Sequence, residues 1–159
     1  MGDLDGALEQ TAAAIRLAPA DGYRWVQHAR LVGQRGRFDA QLVALYQQAI
    51  ALDPHAGPLH LRIALDGVQR WRFGDDALRA LWLESTRKAL RYTPRPFLRQ
   101  VARLRREGPF CAYAGPEMAG LKRWCANAPL VRRDCSLTTL NAAQAHFCRV
   151  AGFMPPQPR

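Results

Sequence analysis

Apolar and small residues recur along the first part of the chain in a pattern that repeats at long intervals. Three stretches end alike, with alanine, then a large aliphatic residue and, four residues later, a proline; they occupy positions 14–19, 49–54 and 89–94. The prolines are 35 and then 40 residues apart. A glycine-aspartate or glycine-arginine segment begins each repeat, near positions 2, 36 and 74. Self-similarity at such a spacing is typical of stacked helical units, so the pattern predicts an all-α fold.

Local helix chemistry supports this division into units. Asp3, Asp39 and Asp75 lie where helices are predicted to begin, and a carboxylate there can accept hydrogen bonds from free backbone N–H groups. A proline shortly after each apolar stretch cannot continue a helix. Alanine at a helix crossing permits close approach of the two backbones. We therefore expect pairs of helices that meet at their small residues.

The most complete unit, which contains Trp25 and ends at Pro54, resembles the tetratricopeptide repeat family. Its predicted first helix contains Trp25 and Ala29 at the family's tryptophan and small-residue positions, whereas His28 and Val32 depart from the pattern. Its second helix follows the family after one extra residue. The second-helix residues that match are Leu42, Tyr46, Gln48, Ala49 and Pro54. The resemblance extends over residues 2–94 and implies a short array of antiparallel helix pairs.

The same resemblance implies where a ligand would lie. Members of this family bind partners along the concave surface formed by their first helices. On the best-matched unit those positions are Tyr23, Val26, Arg30, Gly33 and Gln34. Such a surface could hold an extended peptide, with the guanidinium of Arg30 on a carboxylate. The alternative is that these residues pack against another helix upstream.

The first unit is only half represented, because residue 2 falls near the start of a second helix. A single repeat cannot bury its apolar face alone. We therefore expect either that the chain is the C-terminal piece of a longer protein or that another chain covers this face.

Residues 95–152 form a different predicted module, followed by a proline-rich tail at 153–159. Pro96 suits a helix start. Phe97, Val101 and Leu104 lie at a helical spacing that predicts one apolar face, on a helix that continues through Arg106. The Gly108-Pro109 pair is expected to break this helix. Further helices are expected near 116–125 and from about 136 to 151.

All four cysteines belong to this module, at Cys111, Cys125, Cys135 and Cys148. The nearly equal spacings within 111–125 and 135–148 favour a helical hairpin stapled by Cys125–Cys135 at the loop and Cys111–Cys148 at the open end. Disulfides would place the domain outside the bacterial cytoplasm, in the periplasm. Buried free thiols in a cytoplasmic protein are the alternative.

Positive charge is concentrated in the second half of the chain. The net charge is +10, yet residues 1–84 hold nine arginines against ten acidic residues. Residues 85–159 hold fourteen basic residues against three acidic ones. This asymmetry is typical of contact with an anionic partner, although an arginine-rich composition with solvated surface positions would give it too.

A row of arginines recurs every four residues in this basic half. We expect it to lie on two consecutive helices, because Pro94 and Pro96 interrupt it. It could contact an acidic polysaccharide, lipid head groups or nucleic acid, or be a solvated helix face. Its candidate residues are Arg87, Arg91, Arg95, Arg99 and Arg103, joined by Arg106 three residues later.

Catalytic and metal-binding patterns are missing from the sequence. No phosphate-binding glycine loop, Gly-x-Ser-x-Gly, His-Glu-x-x-His or Cys-x-x-Cys motif occurs, so we expect no metal, no cofactor and no enzymatic activity. The sequence predicts a protein–protein interaction scaffold in a bacterial multiprotein complex, in the manner of envelope and polysaccharide-assembly machinery. Binding of a polyanion through the basic half is the competing function.

Overall fold

The protein is all-helical in a computed structural model that describes residues 3–114, 118 and 121–127. No strand occurs among these residues, which agrees with the predicted fold class. The helices are α1 (Leu4–Leu17), α2 (Gly22–Gln34), α3 (Ala40–Leu52), α4 (Gly57–Arg70), α5 (Asp76–Tyr92), α6 (Pro94–Arg103), α7 (Glu107–Ala114) and α8 (Lys122–Asn127), with a 3₁₀ turn at Trp71–Phe73.

The chain divides into two compact units, one that runs through Phe97 and one that begins at Leu98. Helices α1 to α5 belong to the first unit, and α7 and α8 to the second; the division falls inside α6. The predicted hairpin helix from about 136 to 151 and the tail at 153–159 lie outside the described residues.

Aspartates begin four of the first five helices, as the sequence predicts for three of them. The carboxylate of Asp3 accepts a hydrogen bond from the backbone N–H of Gly6 at 2.8 Å, and Asp75 accepts one from Leu78 at 2.8 Å. Asp39 accepts from two backbone N–H groups at the start of α3. Asp21 accepts from one, the backbone N–H of Tyr23, at the start of α2. Each cap satisfies backbone donors that have no partner within the helix.

The predicted helix ends are also confirmed, because α1, α3 and α5 each end two residues before a proline. Helix α2 is followed by Gly36, whose φ of 84° lies in the left-handed region that glycine adopts without a steric penalty. Helix α6 begins at Pro94, two residues before the predicted Pro96. Proline has no N–H to leave unpaired at a first helical position, so this start satisfies the backbone.

Helix α2 packs chiefly against α3, and α4 packs chiefly against α5. The side chains between them form a core whose centre has almost no solvent exposure. Ala29 and Ala49 are both fully buried, as expected for small residues where helices cross. The buried core members are Val26, Ala29, Val32, Leu42, Tyr46, Ala49, Leu59, Ile63, Leu78 and Trp82.

Trp82 is the largest fully buried side chain of this core. Two glycines make room for it: a Cβ added at Gly67 would lie 2.7 Å from the Trp82 Cβ, and one at Gly74 would lie 2.5 Å from its ring. Trp71 packs against it with ring centroids 6.3 Å apart. The glycines of α4 and of the turn before α5 therefore set the distance at which the two helices meet around this indole.

Helix α1 is less buried than its successors. It contains no fully buried residue, and Leu17 is 85% exposed. Its contact with α2 includes a 2.8 Å hydrogen bond between the Thr11 hydroxyl and Nδ1 of His28. The expectation that another helix or chain covers α1 stays a prediction.

A buried histidine makes the stability of the first unit dependent on pH. His60 is 1% exposed, and its Nε2 donates to the Pro54 carbonyl oxygen at 3.0 Å. Its Nδ1 faces the Ser85 hydroxyl at 3.5 Å. Burial lowers the pKa of His60 below its usual 6.5, and the positive charge of Lys88 lowers it further; the hydrogen bond to Pro54 and, less strongly, Glu84 and Asp53 oppose this without outweighing burial. Folding therefore favours the neutral ring.

We expect stability to fall as the pH drops from 7.5 to 5.5. The unfolded chain takes up the proton near pH 6.5, whereas the folded chain resists it, so the stabilisation present above that pH is lost on acidification. Urea unfolding midpoints at the two pH values measure the loss. His60→Asn should reduce the pH dependence, and the exposed His55→Asn should leave it as in the wild type. Equal pH dependence in all three proteins would contradict this role of His60.

The second unit differs from the predictions in where its helices break. Helix α6 ends at Arg103, and Arg105 then adopts a left-handed conformation with φ of 52°. The Gly108-Pro109 pair does not end a helix, because both residues lie in the first turn of α7. Proline is tolerated there, since the N–H groups of a first turn have no partner within the helix.

The predicted cysteine pairing is wrong. Cys111 and Cys125 form a disulfide with Cα atoms 5.8 Å apart, so neither can pair with Cys148 or Cys135. The prediction treated 111–125 as one straight helix, which would hold its ends about 20 Å apart. Instead α7 ends at Ala114 and α8 begins at Lys122, which brings the two cysteines together. Cys135 and Cys148 lie outside the described residues.

Candidate protein-binding face

A row of side chains with polar groups lies along one side of α2. At about 100° per residue, Tyr23, Gln27, Arg30 and Gln34 fall within roughly 60° of one another around the helix axis. Gln27 and Gln34 are exposed, and Tyr23 and Arg30 are half-buried. Three of the four positions are the ones that the repeat resemblance implies, and we call the four together the α2 row.

Two other implied positions do not reach the surface. Val26 has 0% exposure and belongs to the core, and Gly33 is buried against Leu42 and Phe38. Both lie on the side of α2 that turns toward its neighbouring helices. Val26 therefore packs the fold and is not available to a partner.

Helix α4 contacts α2 and extends the surface beside this row. The exposed guanidinium of Arg62 lies over the ring of Tyr23, 5.8 Å from its centroid. A cation at this distance is attracted by the ring face, so the pair holds the tyrosine in a defined position. Together the α2 row and Arg62 make up what we call the binding face.

Tyr23 also forms part of the wall of a hollow of about 360 Å³. The hollow lies where the α1–α2 turn meets the α3–α4 turn, and apolar side chains and two carboxylates surround it. A volume of this order admits one side chain of a partner. Its lining residues are Ala20, Asp21, Gly22, Tyr23, Leu52, Asp53, Ala56, Pro58 and Leu59.

Arg30 is held by an internal carboxylate. Asp66 of α4 has 0% exposure and accepts hydrogen bonds from three side chains. The Tyr46 hydroxyl donates to its Oδ2 at 2.6 Å, and Arg70 Nη1 donates to its Oδ1 at 2.6 Å. Arg30 Nε donates to the same Oδ1 at 3.3 Å. We call these four residues the Asp66 network; it ties α2, α3 and α4 together.

The Asp66 network determines the charge beneath the binding face. Burial raises the pKa of Tyr46 well above 10, and the negative charge of Asp66 raises it further, so the phenol stays neutral and donates its proton to the carboxylate. Two guanidinium groups then share one carboxylate. One positive charge remains in excess, and Arg62 adds another at the surface. The part of the face around Arg30 and Arg62 therefore favours an acidic group of a ligand, whereas the two carboxylates of the hollow beside Tyr23 favour a neutral side chain.

Sequence reasoning missed Asp66, Arg62 and Gln27. Asp66 had a visible signal, since it interrupts the apolar run 63–68, and a carboxylate in such a run is stable only when it is paired. Gln27 also follows from the helical period, one turn after Tyr23. Arg62 had no signal, because the contact between α2 and α4 depends on tertiary packing.

The arginine row of the basic half is distributed over two consecutive helices, as predicted. Arg87 and Arg91 belong to α5, whereas Arg95, Arg99 and Arg103 belong to α6. Arg87 pairs with Glu84 at 3.3 Å, and Arg91 lies over the ring of Tyr92. Arg106 is exposed in the turn before α7.

Within the described part of the chain, no group of three or more histidine, cysteine or acidic residues is placed to hold a metal ion. None of the described helices has both the length and the apolar character that crossing a membrane requires.

Comparison of the chain with protein-family models, with curated proteins and with solved structures finds no match. The geometry of the two units therefore supplies the basis for a functional assignment.

Proposed function

We propose that the first unit is a protein-interaction scaffold of the tetratricopeptide-like kind, which binds a segment of a partner protein across α2 and α4. The observation that carries this proposal is the binding face itself: four side chains with polar groups in line on α2, with Arg62 stacked on the first of them. A face of this kind, next to a hollow of one-side-chain size, suits recognition of an extended peptide.

The chemistry of the face specifies the partner segment. The excess positive charge of Arg30, Arg62 and Arg70 over Asp66 favours a segment that contains carboxylates. The exposed amides of Gln27 and Gln34 can pair with the peptide backbone of an extended segment. An apolar side chain of the partner can enter the hollow beside Tyr23. The proposed ligand is therefore an acidic segment with one apolar anchor.

Tyr23→Ala is expected to weaken binding of such a segment at least tenfold. Truncation of an aromatic anchor in a protein contact commonly costs about 2–4 kcal/mol of binding free energy. Peptides selected from an unbiased random library against the full-length chain supply the ligands. Their affinities for wild type and variant can be measured by fluorescence anisotropy.

A control substitution on a different helix distinguishes a loss of binding at the binding face from a general effect on the folded protein. Gln48 is exposed on α3, and Gln48→Ala should leave the affinity within twofold of wild type. Thermal unfolding of both variants checks that each is folded. If the selected peptides bind Tyr23→Ala as tightly as wild type, the proposed face is wrong.

The Cys111–Cys125 disulfide supports an extracytoplasmic location for the chain. Trapping of free thiols with a maleimide in the native host, followed by peptide mapping, tests this part of the proposal. We expect Cys111 and Cys125 to be protected from the reagent and recovered as one linked peptide. Full labelling of both under denaturing conditions without reductant would place the chain in a reducing compartment.

A further inference from the structure

Helix α6 presents arginines on the side opposite its buried residues. Phe97 and Val101 both have 0% exposure. At about 100° per residue, the mean direction of Arg95, Arg99 and Arg103 is roughly 180° from that of the buried pair. All three arginines are exposed. The helix is therefore divided lengthwise into an apolar side and a cationic side.

These arginines have no carboxylate partners in the described part of the chain. By contrast, five of the nine arginines before residue 85 form ion pairs there. The described segments after residue 84 hold a single acidic residue, Glu107, which is 7% exposed. Among the described residues the charges of α6 are thus not compensated at the surface, and they attract an external anion.

The turn after α6 adds a further arginine at a position that usually takes glycine. Arg105 has a φ of 52°, and the backbone N–H of Arg106 bonds back to the Val101 carbonyl oxygen at 3.2 Å, which closes the helix end. Glycine fits this left-handed position without the steric penalty that a side chain brings. A side chain in a strained backbone conformation is a basis for a functional hypothesis, and at this position the side chain is a cation.

We propose that Arg95, Arg99, Arg103 and Arg105, here called the α6 arginine face, bind a linear acidic polysaccharide. Consecutive arginines of α6 are separated by about 6 Å along the axis, at 1.5 Å per residue. A chain that carries anionic groups at regular intervals can therefore meet them in succession. Guanidinium groups bind carboxylate and sulfate oxygens through paired hydrogen bonds, which a row of arginines repeats.

The surroundings of this face favour a polysaccharide over the other polyanions. A helix that lies in a lipid surface needs a row of apolar side chains beside its cations, but Phe97 and Val101 are buried, and Leu104, at 38% exposure, is a single apolar side chain and not a row. Binding of single-stranded nucleic acid uses several exposed aromatic rings, whereas Phe97 of α6 is buried and the 40% exposed Tyr92, at the end of α5, already lies beneath the guanidinium of Arg91. The disulfide of the second unit favours an oxidising compartment, outside the cytoplasm that contains the cell's nucleic acids.

Titration calorimetry of the full-length chain with polygalacturonate tests the proposal, with dextran as the uncharged polymer. We expect polygalacturonate to bind and dextran not to bind. Three or four contacts should make the affinity fall roughly twentyfold or more between 50 and 200 mM salt. Arg99→Gln/Arg103→Gln should weaken binding about tenfold at low salt, because it removes two contacts from the row.

A second double variant serves as the control, because it removes the same number of positive charges as Arg99→Gln/Arg103→Gln from a different part of the surface. Arg35 and Arg37 are paired surface arginines, each with 54% side-chain exposure, and Arg35→Gln/Arg37→Gln should stay within twofold of wild type. Equal losses in the two double variants would show that net charge and not the α6 arginine face governs binding. No binding of polygalacturonate, or tighter binding to phosphatidylglycerol vesicles or duplex DNA at equal anionic charge, would overturn the polysaccharide assignment.

Arg105→Gly separates binding from folding. We expect the thermal midpoint to rise, because glycine relieves the left-handed conformation, while the affinity for polygalacturonate falls severalfold. A variant that is more stable but binds less tightly cannot owe its loss to unfolding. Unchanged affinity in Arg105→Gly together with unchanged affinity in Arg99→Gln/Arg103→Gln would remove the face from the binding surface.

Discussion

Replacing Asp66 with alanine is expected to lower the free energy of unfolding by about 3–5 kcal/mol. The carboxylate is fully buried and accepts from Tyr46, Arg30 and Arg70, so its removal leaves two guanidinium groups and a phenol without their partner. The side chains of Arg30 and Arg70 keep only 28% and 14% exposure, so their unpaired charges are largely desolvated, which costs more than the pairing contributed when it was intact. The effect should be a loss of stability spread over α2, α3 and α4.

Urea unfolding followed by circular dichroism measures this loss. Asp5→Ala removes a carboxylate that pairs with Arg35 at the surface, where it is 69% exposed, and should cost less than about 1 kcal/mol. Adding Arg30→Met and Arg70→Met to Asp66→Ala should recover part of the lost stability, because no buried charge then lacks a partner. A loss in Asp66→Ala as small as that in Asp5→Ala would contradict the role assigned to the Asp66 network.

Trp82→Ala is the second substitution with a large expected effect, about 3–5 kcal/mol. The indole has 0% exposure and fills the space that Gly67 and Gly74 leave between α4 and α5. Neighbouring backbone cannot collapse fully into the cavity, because α4 is also fixed by its contacts with α2. The cost therefore combines lost burial with an unfilled cavity.

The same unfolding measurement compares Trp82→Ala with two other variants. Leu17→Ala truncates a side chain that is 85% exposed and should change stability by no more than about 0.5 kcal/mol. The loss of stability in Trp82→Phe should lie between those of the other two variants. This substitution keeps an aromatic ring and also removes an indole N–H that has no hydrogen-bond partner among the described residues. Trp82→Ala as stable as Leu17→Ala would show that this indole is not central to the core.

Helix positions in the first unit follow closely from the sequence because their signals are local. Asp3, Asp39 and Asp75 each cap a helix, and the prolines at 19, 54 and 94 follow helix ends by two residues. Capping and proline chemistry involve a few neighbouring residues and do not depend on the rest of the fold. The small-residue positions of Ala29 and Ala49 come instead from the repeat resemblance, and both residues are fully buried.

The remaining features depend on contacts between residues distant in the sequence. The Cys111–Cys125 bond requires the chain to turn between α7 and α8, which helical spacing alone does not reveal. Arg30 pairs with Asp66, 36 residues away, so a side chain expected to meet a ligand carboxylate meets one from the chain itself. In both cases the sequence pattern allows several partners for one side chain, and tertiary packing determines which of them it contacts.

The Asp66 network also affects how the binding face can be tested. Substitution of Arg30 would disturb a buried carboxylate and lower stability, so lost binding could not be separated from lost structure. The hydrogen bonds of Asp66 are made by Arg30, Tyr46 and Arg70, so Tyr23, Gln27 and Gln34 can be changed with less risk to the fold. They are therefore the informative positions on α2.

The central claim is that the binding face holds a partner protein, and site-specific photocrosslinking in the native host tests it most directly. A benzoylphenylalanine can be placed at Gln27 or Gln34 on the face and, as the control, at the exposed Gln48 of α3. The proposal predicts a discrete light-dependent adduct with one protein from both face positions, none from Gln48, and loss of the adduct when Tyr23→Ala is added. Equal crosslinking from Gln48, or adducts that persist in the Tyr23→Ala background, would contradict it.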